Sequence, residues 1–89
     1  DTLTALRALA AAPRLRIVTH LAAQSRTTQE LASLLGLSPS VTSRHLHQLT
    51  QAGLTTAQRE GYYVLYSLAP ARLDEIATAL ITLAPRPED

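Results

Sequence analysis

The sequence predicts a mainly α fold that includes one two-stranded β-hairpin, and three observations lead to this fold class. Leu and Ala, the strongest helix formers among the apolar residues, number 17 and 15 in a chain of 89 residues that lacks Phe, Met and Trp. Apolar residues recur with the helical period as far as Gly53, and from there to Leu68 they alternate. Gly and Pro stand where the patterns break. The length fits a single domain, residues 1–89.

Two helices are predicted in the first quarter of the chain. The first covers about residues 3–11, and its apolar stripe contains Leu3, Leu6, Leu9 and Ala10. Pro13 breaks this helix and fits the first turn of the second one, which continues to about Ala23. The second helix is predicted to bury Leu15, Val18, Leu21 and Ala22.

A helix-turn-helix is predicted over about residues 28–52. Its first helix starts at a capping box, in which the Thr27 hydroxyl and the Glu30 carboxylate each accept a backbone N–H of the other residue. Gly36 supplies the left-handed residue that ends this helix. The pair Ser38-Pro39 is typical of an N-cap and first helical position, so a fourth helix begins there. Two short helices joined by such a turn match the helix-turn-helix pattern.

A β-hairpin and one further helix complete the chain. The hairpin covers about residues 54–68 and is indicated by β-branched and aromatic residues on both sides of a tip at Arg59-Glu60-Gly61. The last helix covers about residues 71–84, and Pro85 and Pro87 end it. A hairpin that follows a helix-turn-helix is a wing, so the order α-α-α-α-β-β-α predicts a winged helix-turn-helix.

Several segments of the chain, taken in order and spacing, resemble the ArsR/SmtB family of small bacterial repressors. They are Arg14-Leu15-Arg16-Ile17-Val18, Thr28-Gln29-Glu30-Leu31-Ala32, Leu37-Ser38, Ser43-Arg44-His45-Leu46, Leu49, Ala52-Gly53-Leu54 and the wing residues Arg59-Glu60-Gly61 and Tyr66-Ser67-Leu68. The resemblance covers roughly residues 5–84. It implies that the fourth helix is a DNA recognition helix whose N-terminal half lies deepest in the groove. It also places Thr42 where the family usually carries Val.

The outer face of the fourth helix is the candidate DNA-reading surface. With Thr42, Leu46 and Leu49 on the buried stripe, the opposite side of the helix is polar and basic. Arg can bind guanine through two hydrogen bonds, and Arg on the wing can bind phosphate or the minor groove. The predicted DNA contacts are Ser38, Ser40, Val41, Ser43, Arg44, His47 and Arg59. The simpler alternative is a solvated helix face and a solvated hairpin.

The last helix is predicted to form a homodimer together with the first. It is apolar on more than one face, and a chain of 89 residues cannot bury both faces by itself. The family resemblance implies dimerisation through the same two helices, over about residues 3–11 and 71–84. The predicted interface residues are Leu3, Leu6, Leu9, Leu73, Ile76, Leu80 and Ile81. The alternative is contact with another domain.

The composition argues against a metal site, a cofactor and catalysis. The chain has no Cys, which excludes thiolate ligands and disulfides. His45 and His47 lie about 200° apart around a helix and cannot bind one ion together. The chain has no Gly-rich phosphate loop and no Ser–His–Asp order at usable spacing, so we expect no enzyme activity. No apolar run reaches membrane length and no signal peptide opens the chain, so we expect a cytoplasmic protein and no membrane contact.

The charge distribution is compatible with a nucleic-acid partner, although a solvated basic face explains it equally well without the motifs. Residues 14–59 contain five Arg and one acid, whereas residues 60–89 contain two Arg and five acids. The sequence therefore predicts a dimeric repressor that binds an imperfect inverted repeat of double-stranded DNA. DNA binding by this repressor would be regulated by an organic ligand, by a protein effector or by no ligand at all. The alternative is a winged-helix dimerisation or scaffold module that does not bind DNA, as in the N-terminal domains of small-molecule methyltransferases.

Overall fold

The computed structural model describes residues 1–84, which form five helices and three strands. The helices are α1 (Thr2–Leu9), α2 (Ala12–Ala23), α3 (Thr28–Leu35), α4 (Pro39–Gln51) and α5 (Pro70–Leu83). The strands are β1 (Arg26–Thr27), β2 (Thr55–Glu60) and β3 (Tyr63–Leu68). Within this part of the chain, no helix has the length and apolar character needed to cross a membrane. Pro85 and Pro87, predicted to end the last helix, lie outside the described residues.

The core confirms a winged helix-turn-helix, in which α2, α3 and α4 pack together beneath the hairpin. Its largest fully buried apolar side chains are Ile17, Leu31, Leu46, Leu49 and Leu54. The last of these follows the end of α4, where the Leu54 N–H donates to the Leu49 carbonyl over 3.0 Å. Gly53 adopts a φ of 78° there, which lets the chain turn from the helix towards the wing.

The sheet has one strand more than the sequence predicted. Arg26 and Thr27, expected in a polar break and a helix cap, also pair with β3 opposite Tyr66 and Leu65. The sheet is antiparallel in the order β1-β3-β2. A strand of two polar residues carries no alternating pattern, so its pairing depends on the partner strand.

The buried stripes of the first two helices differ from the predicted ones. Leu15 is 54% exposed, whereas Ile17, left out of the prediction, is completely buried. In α1 the buried residues are Ala5 and Ala8, while Leu3 is 56% exposed. Small residues are buried here because α1 packs closely on its neighbours, and the larger side chains then point to the edge of the contact.

The last helix is held to the rest of the chain by its first half. Ile76, predicted at a dimer interface, lies instead in the core and is 4% exposed. Arg72 donates one hydrogen bond to the Ala52 carbonyl at 3.2 Å and another to the Asp1 carbonyl, and its Nη1 lies 2.9 Å from Glu75 Oε1. One guanidinium therefore joins α5 to the end of α4 and to the start of the chain.

Candidate nucleic-acid interface

Local capping interactions fix the direction of α4. The capping box at the start of α3 is present, with Thr27 Oγ1 accepting the Glu30 N–H and Glu30 Oε1 accepting the Thr27 N–H at 2.8 Å. Gly36 ends α3 with a φ of 70°. Ser38 then caps α4, because its Oγ accepts the Val41 N–H at 3.2 Å. The predicted helix-turn-helix is confirmed in each of these details.

The outer face of α4 has the orientation that the sequence predicted. Thr42, Leu46 and Leu49 are completely buried, so the opposite side of the helix faces solvent. The side chains exposed there are Ser40, Ser43, Arg44 and His47, and Val41 is half-buried at their edge. Ser38 is exposed as well, with its hydroxyl 3.4 Å from that of Ser40. Their contact with DNA stays a prediction.

Arg44 differs from the other arginines near the helix-turn-helix in having no partner within the described residues. Arg16 reaches the Leu34 carbonyl at 3.5 Å, and Arg26 donates to the His20 carbonyl at 3.1 Å. Arg14 is turned inward, towards the carbonyl of Ala8. A guanidinium without such contacts keeps all of its donors for a ligand.

The wing places Arg59 differently from the sequence prediction. Arg59 was expected at the tip, but it lies within β2 opposite Val64, and its Nη1 donates to the Gly61 carbonyl at 3.3 Å. The turn consists of Gly61 and Tyr62, because Glu60 pairs directly with Tyr63. Gly61 has the positive φ that tight hairpin turns use.

Tyrosines at the turn are candidate contacts that the sequence prediction did not include. Tyr62 is 96% exposed, and its ring meets that of Tyr63 edge-on with 6.3 Å between the centroids. An exposed aromatic residue beside the tip glycine was the available signal. Rings with a hydroxyl at such a position can bind phosphate oxygens or pack on sugars.

A cleft of about 590 Å³ joins the wing to the N-terminal half of α4. Gln29, Ser40, Ser43, Tyr62, Tyr63 and Tyr66 contribute to its lining. The structure therefore brings two predicted residues, Ser40 and Ser43, together with the wing tyrosines. Arg44 and His47 do not line this cleft, and neither does Arg59.

The ring of His45 lies on the flank of α4, against Arg14. Burial, and then the charges of Arg14 and Arg44, lower the pKa of His45 below its ordinary value. Arg14 Nη1 lies 3.3 Å from His45 Nδ1, and because a guanidinium can only donate, Nδ1 must be the unprotonated nitrogen. Protonating this ring would set a second cation against Arg14.

The described residues contain no group of three or more His, Asp or Glu side chains placed to hold a metal ion. This observation does not test whether metal ions affect DNA binding, so the expectation that they have no effect stays a prediction.

Comparisons with known proteins identify the family. The family model for bacterial regulatory proteins of the arsR family matches residues 13–56. The HTH-type transcriptional regulator YgaV of Escherichia coli is 34% identical over 76 residues, which cover 84% of this chain and 77% of YgaV. The chain belongs to the ArsR family. It is a family of regulators and not of enzymes, in agreement with the sequence prediction.

A second relative is considerably longer than the part that this chain matches. The HTH-type transcriptional repressor SmtB of Mycobacterium tuberculosis is 42% identical over 71 residues, 80% of this chain but only 53% of SmtB. The chain thus spans about half the length of that ArsR relative.

Solved structures of ArsR proteins share the fold. A possible transcriptional regulator for arsenical resistance superposes with a TM-score of 0.82 at 31% identity, covering 91% of this chain and 84% of that one. A Mycobacterium bovis domain, described as a homodimeric winged helix-turn-helix DNA-binding domain, gives a TM-score of 0.77 at 27% identity, covering 90% of this chain and 75% of that one.

Proposed function

We propose that this chain is a transcriptional repressor that binds an imperfect inverted repeat of double-stranded DNA as a homodimer. The outer face of α4 carries the proposal, because its polar side chains and the unpartnered Arg44 project from a rigidly capped helix-turn-helix. A helix of this kind fits the major groove, with its N-terminal residues nearest the base edges. The family membership supports the same function.

Within the groove, Arg44 is the candidate base reader. Its guanidinium can donate two hydrogen bonds to the O6 and N7 of one guanine. Ser40, one turn nearer the start of the helix, and Ser43, directly before Arg44, can bind base edges or phosphates, and the half-buried Val41 can contact a thymine methyl group. His47 lies one turn further along and suits a contact at the edge of the half-site.

The wing supplies the second contact. Arg59 is close to the turn, and its present hydrogen bond to the Gly61 carbonyl is an exposed one that phosphate can replace. Tyr62 extends further than Arg59, since it occupies the turn itself and is almost completely exposed. Together they can bind the backbone or the minor groove beside the α4 site.

The dimer is supported by the apolar surface of the two terminal helices. Leu3 of α1 and Leu80 of α5 are 56% and 46% exposed, and Leu83, in the same half of α5, is 79% exposed. Of the other predicted interface residues, Ile81 is 56% exposed, whereas Leu6, Leu9 and Leu73 are partly buried against the core. Exposed leucines on adjoining helices are typical of an interface between chains. The homodimeric M. bovis relative has the same fold.

We propose further that the signal is not a metal ion. The chain has no Cys, and its three His are placed on two helices, His20 on α2 and the other two on α4. An organic ligand or a protein effector fits this residue set better.

The function can be tested with fluorescence anisotropy on a duplex from the promoter upstream of the native gene. Arg44→Ala should weaken binding to this operator by about 1–3 kcal/mol per contact and relax base preference at one position of each half-site. Arg16→Ala removes the same charge from the exposed surface of α2 and serves as the matched control, with a much smaller effect expected. Arg59→Ala should weaken binding to all sequences alike and reduce the salt dependence by about one charge per chain.

Two results would contradict the proposal. If the parent binds operator and scrambled duplexes with equal affinity, the protein does not recognise a specific DNA sequence. No binding to either duplex would favour the alternative of a dimerisation or scaffold module.

A further inference from the structure

A second cavity, separate from the wing cleft, lies at the C-terminal half of α4. It has a volume of about 310 Å³ and is formed where α1 and the start of α2 meet α4. Arg7 and Ala8 line it from α1, Arg14 from α2, and Gln48 and Gln51 from α4. The volume lies at the lower end of the range for ligand pockets, which suits a molecule of few atoms.

Two guanidinium groups line this cavity without a counter-charge. Arg14 is partly buried and contacts the Ala8 carbonyl, the Arg7 carbonyl at 3.5 Å and the His45 ring, so its partners are all uncharged. Arg7 is exposed, and its side chain makes no hydrogen bond within the described residues. No carboxylate of residues 1–84 lies within ion-pair distance of either group.

Several hydrogen-bonding groups that line the cavity also have no partner within the described residues. A guanidinium has five N–H donors, and the contacts of Arg14 use three of them. Gln48 and Gln51 add two side-chain amides, neither with a hydrogen-bond partner in the described residues. The pKa of His45 is lowered first by burial and then by the charges of Arg14 and Arg44, so Arg14 already acts on its neighbour as an unneutralised cation.

We propose that this cavity binds a small organic carboxylate, and that the bound anion weakens binding of the protein to its operator. Guanidinium groups bind carboxylates through paired hydrogen bonds, and the two glutamine amides can hold the rest of a short polar molecule. The effect on DNA rests on the proposed function. It follows from charge, because an anion held beside α4 neutralises Arg7 and Arg14 and so removes their attraction for the DNA phosphates.

The site itself is tested on the free protein, without DNA. ¹⁵N-labelled protein is titrated with succinate at constant ionic strength, and with succinamide as the uncharged counterpart. Succinate should give saturable shifts at the amides of Arg7, Ala8, Gln48 and Gln51, and succinamide should not. Shifts that do not saturate, or equal binding of succinamide, would overturn the proposal.

Three variants locate the binding. Arg7→Gln should weaken succinate binding about tenfold, since one charge-assisted contact is lost. Gln48→Ala removes an amide from the opposite wall and should weaken binding by a smaller factor. Arg16→Gln makes the same change of charge outside the cavity and should bind succinate like the parent. An equal loss in Arg16→Gln and Arg7→Gln would show only general charge attraction and overturn the site.

Operator binding then tests the coupling. Succinate at a concentration that just saturates the parent should weaken operator affinity of the parent about fivefold or more, and that of Arg7→Gln by a clearly smaller factor. If the parent binds the operator but succinate gives no shifts, this inference fails and the proposed function stands. If succinate binds but the parent binds no DNA, the proposed function fails and the anion site stands. If Arg7→Gln lowers operator affinity and the free protein binds no succinate, the cavity contacts the DNA backbone instead.

Discussion

Thr42 is a buried polar residue whose hydroxyl has no hydrogen-bond partner in the described part of the chain. Its side chain is completely enclosed on the inner face of α4. Burying an unpaired hydroxyl costs free energy, because the group loses its bonds to water and gains none in return. At this position the sequence resemblance had pointed to Val, and the structure shows why an apolar residue of the same shape suits it.

Thr42→Val should therefore stabilise the protein. We expect the free energy of unfolding to rise by about 1–2 kcal/mol, measured by urea denaturation. Thr55→Val is the matched control, since Thr55 is 2% exposed but its hydroxyl lies 2.9 Å from that of Thr50. This control should lower stability, because it leaves Thr50 without its partner. A stabilising Thr55→Val or a destabilising Thr42→Val would contradict this account.

His45 makes stability depend on pH. Because its pKa is lowered in the folded chain, the unfolded chain binds a proton more readily as the pH falls through about 6.5, the ordinary value for His. The contribution is fully present above that pH and is lost as the pH falls from there towards the lowered pKa of the folded chain, so the free energy of unfolding should decline as the pH falls below about 6.5.

His45→Gln should flatten this decline, as measured by urea denaturation at a series of pH values. His47→Gln, at an exposed position of the same helix, should keep the slope of the parent. If His47→Gln removes the slope and His45→Gln does not, the assignment to the Arg14–His45 contact is wrong.

At the scale of the elements, Gly36 sets the angle between α3 and α4. Its φ of 70° is left-handed, and a Cβ there would meet no atom within 4 Å. The cost of a side chain is thus backbone strain and not crowding. Gly36→Ala should lower the free energy of unfolding by about 1–2 kcal/mol. Gly36→Asn should cost less, because Asn adopts this conformation more readily. Equal losses in both variants would contradict this explanation.

Elements fixed by local chemistry were predictable, whereas those fixed by distant contacts were not. The capping box of Thr27 and Glu30 and the turn at Gly36 lie within a few residues of sequence, so their patterns are visible. Strand β1 exists only because Arg26 and Thr27 meet β3 some forty residues later, and nothing near them indicates it.

Whether a side chain is buried was likewise predictable only where the local sequence decides it. The buried stripe of α4 was predictable because its polar and apolar faces differ clearly. In α2, Leu15 and Ile17 are both apolar, and only packing against α3 and α4 decides that Ile17 is buried. The place of Arg59 depended on the pairing register, since a two-residue turn at Gly61 and Tyr62 draws it into β2.

The described part of the chain is elongated, with extents of 54 × 23 × 22 Å and a radius of gyration of 14.6 Å. A compact chain of this length would have a radius of about 12 Å. Such a shape leaves apolar side chains of α5 uncovered, among them Leu80 and Leu83. A second copy of the chain would cover them.

Leu80→Asp should therefore separate the proposed dimer into monomers, because a carboxylate would have to be buried at the interface. Sedimentation velocity at micromolar concentration should find a dimer for the parent and a monomer for this variant. Leu34→Asp is the control, as Leu34 of α3 is 44% exposed, close to the 46% of Leu80, and lies outside the terminal helices. A monomeric parent, or dissociation by both substitutions, would contradict the proposed interface.

The short pairing of β1 with β3 also determines how the wing can move. In the middle of β3, Leu65 and Tyr66 have neighbours on both sides, in β2 and in β1. Beyond Val64 the hairpin has only two strands and is exposed. The part of the wing that pairs with β1 is therefore held by the sheet, and the outer half of the wing is the part that can bend. In the proposed complex with DNA, Tyr62 would adjust to the local width of a groove without displacing α4, so base recognition by the helix and adjustment by the wing would be mechanically separate.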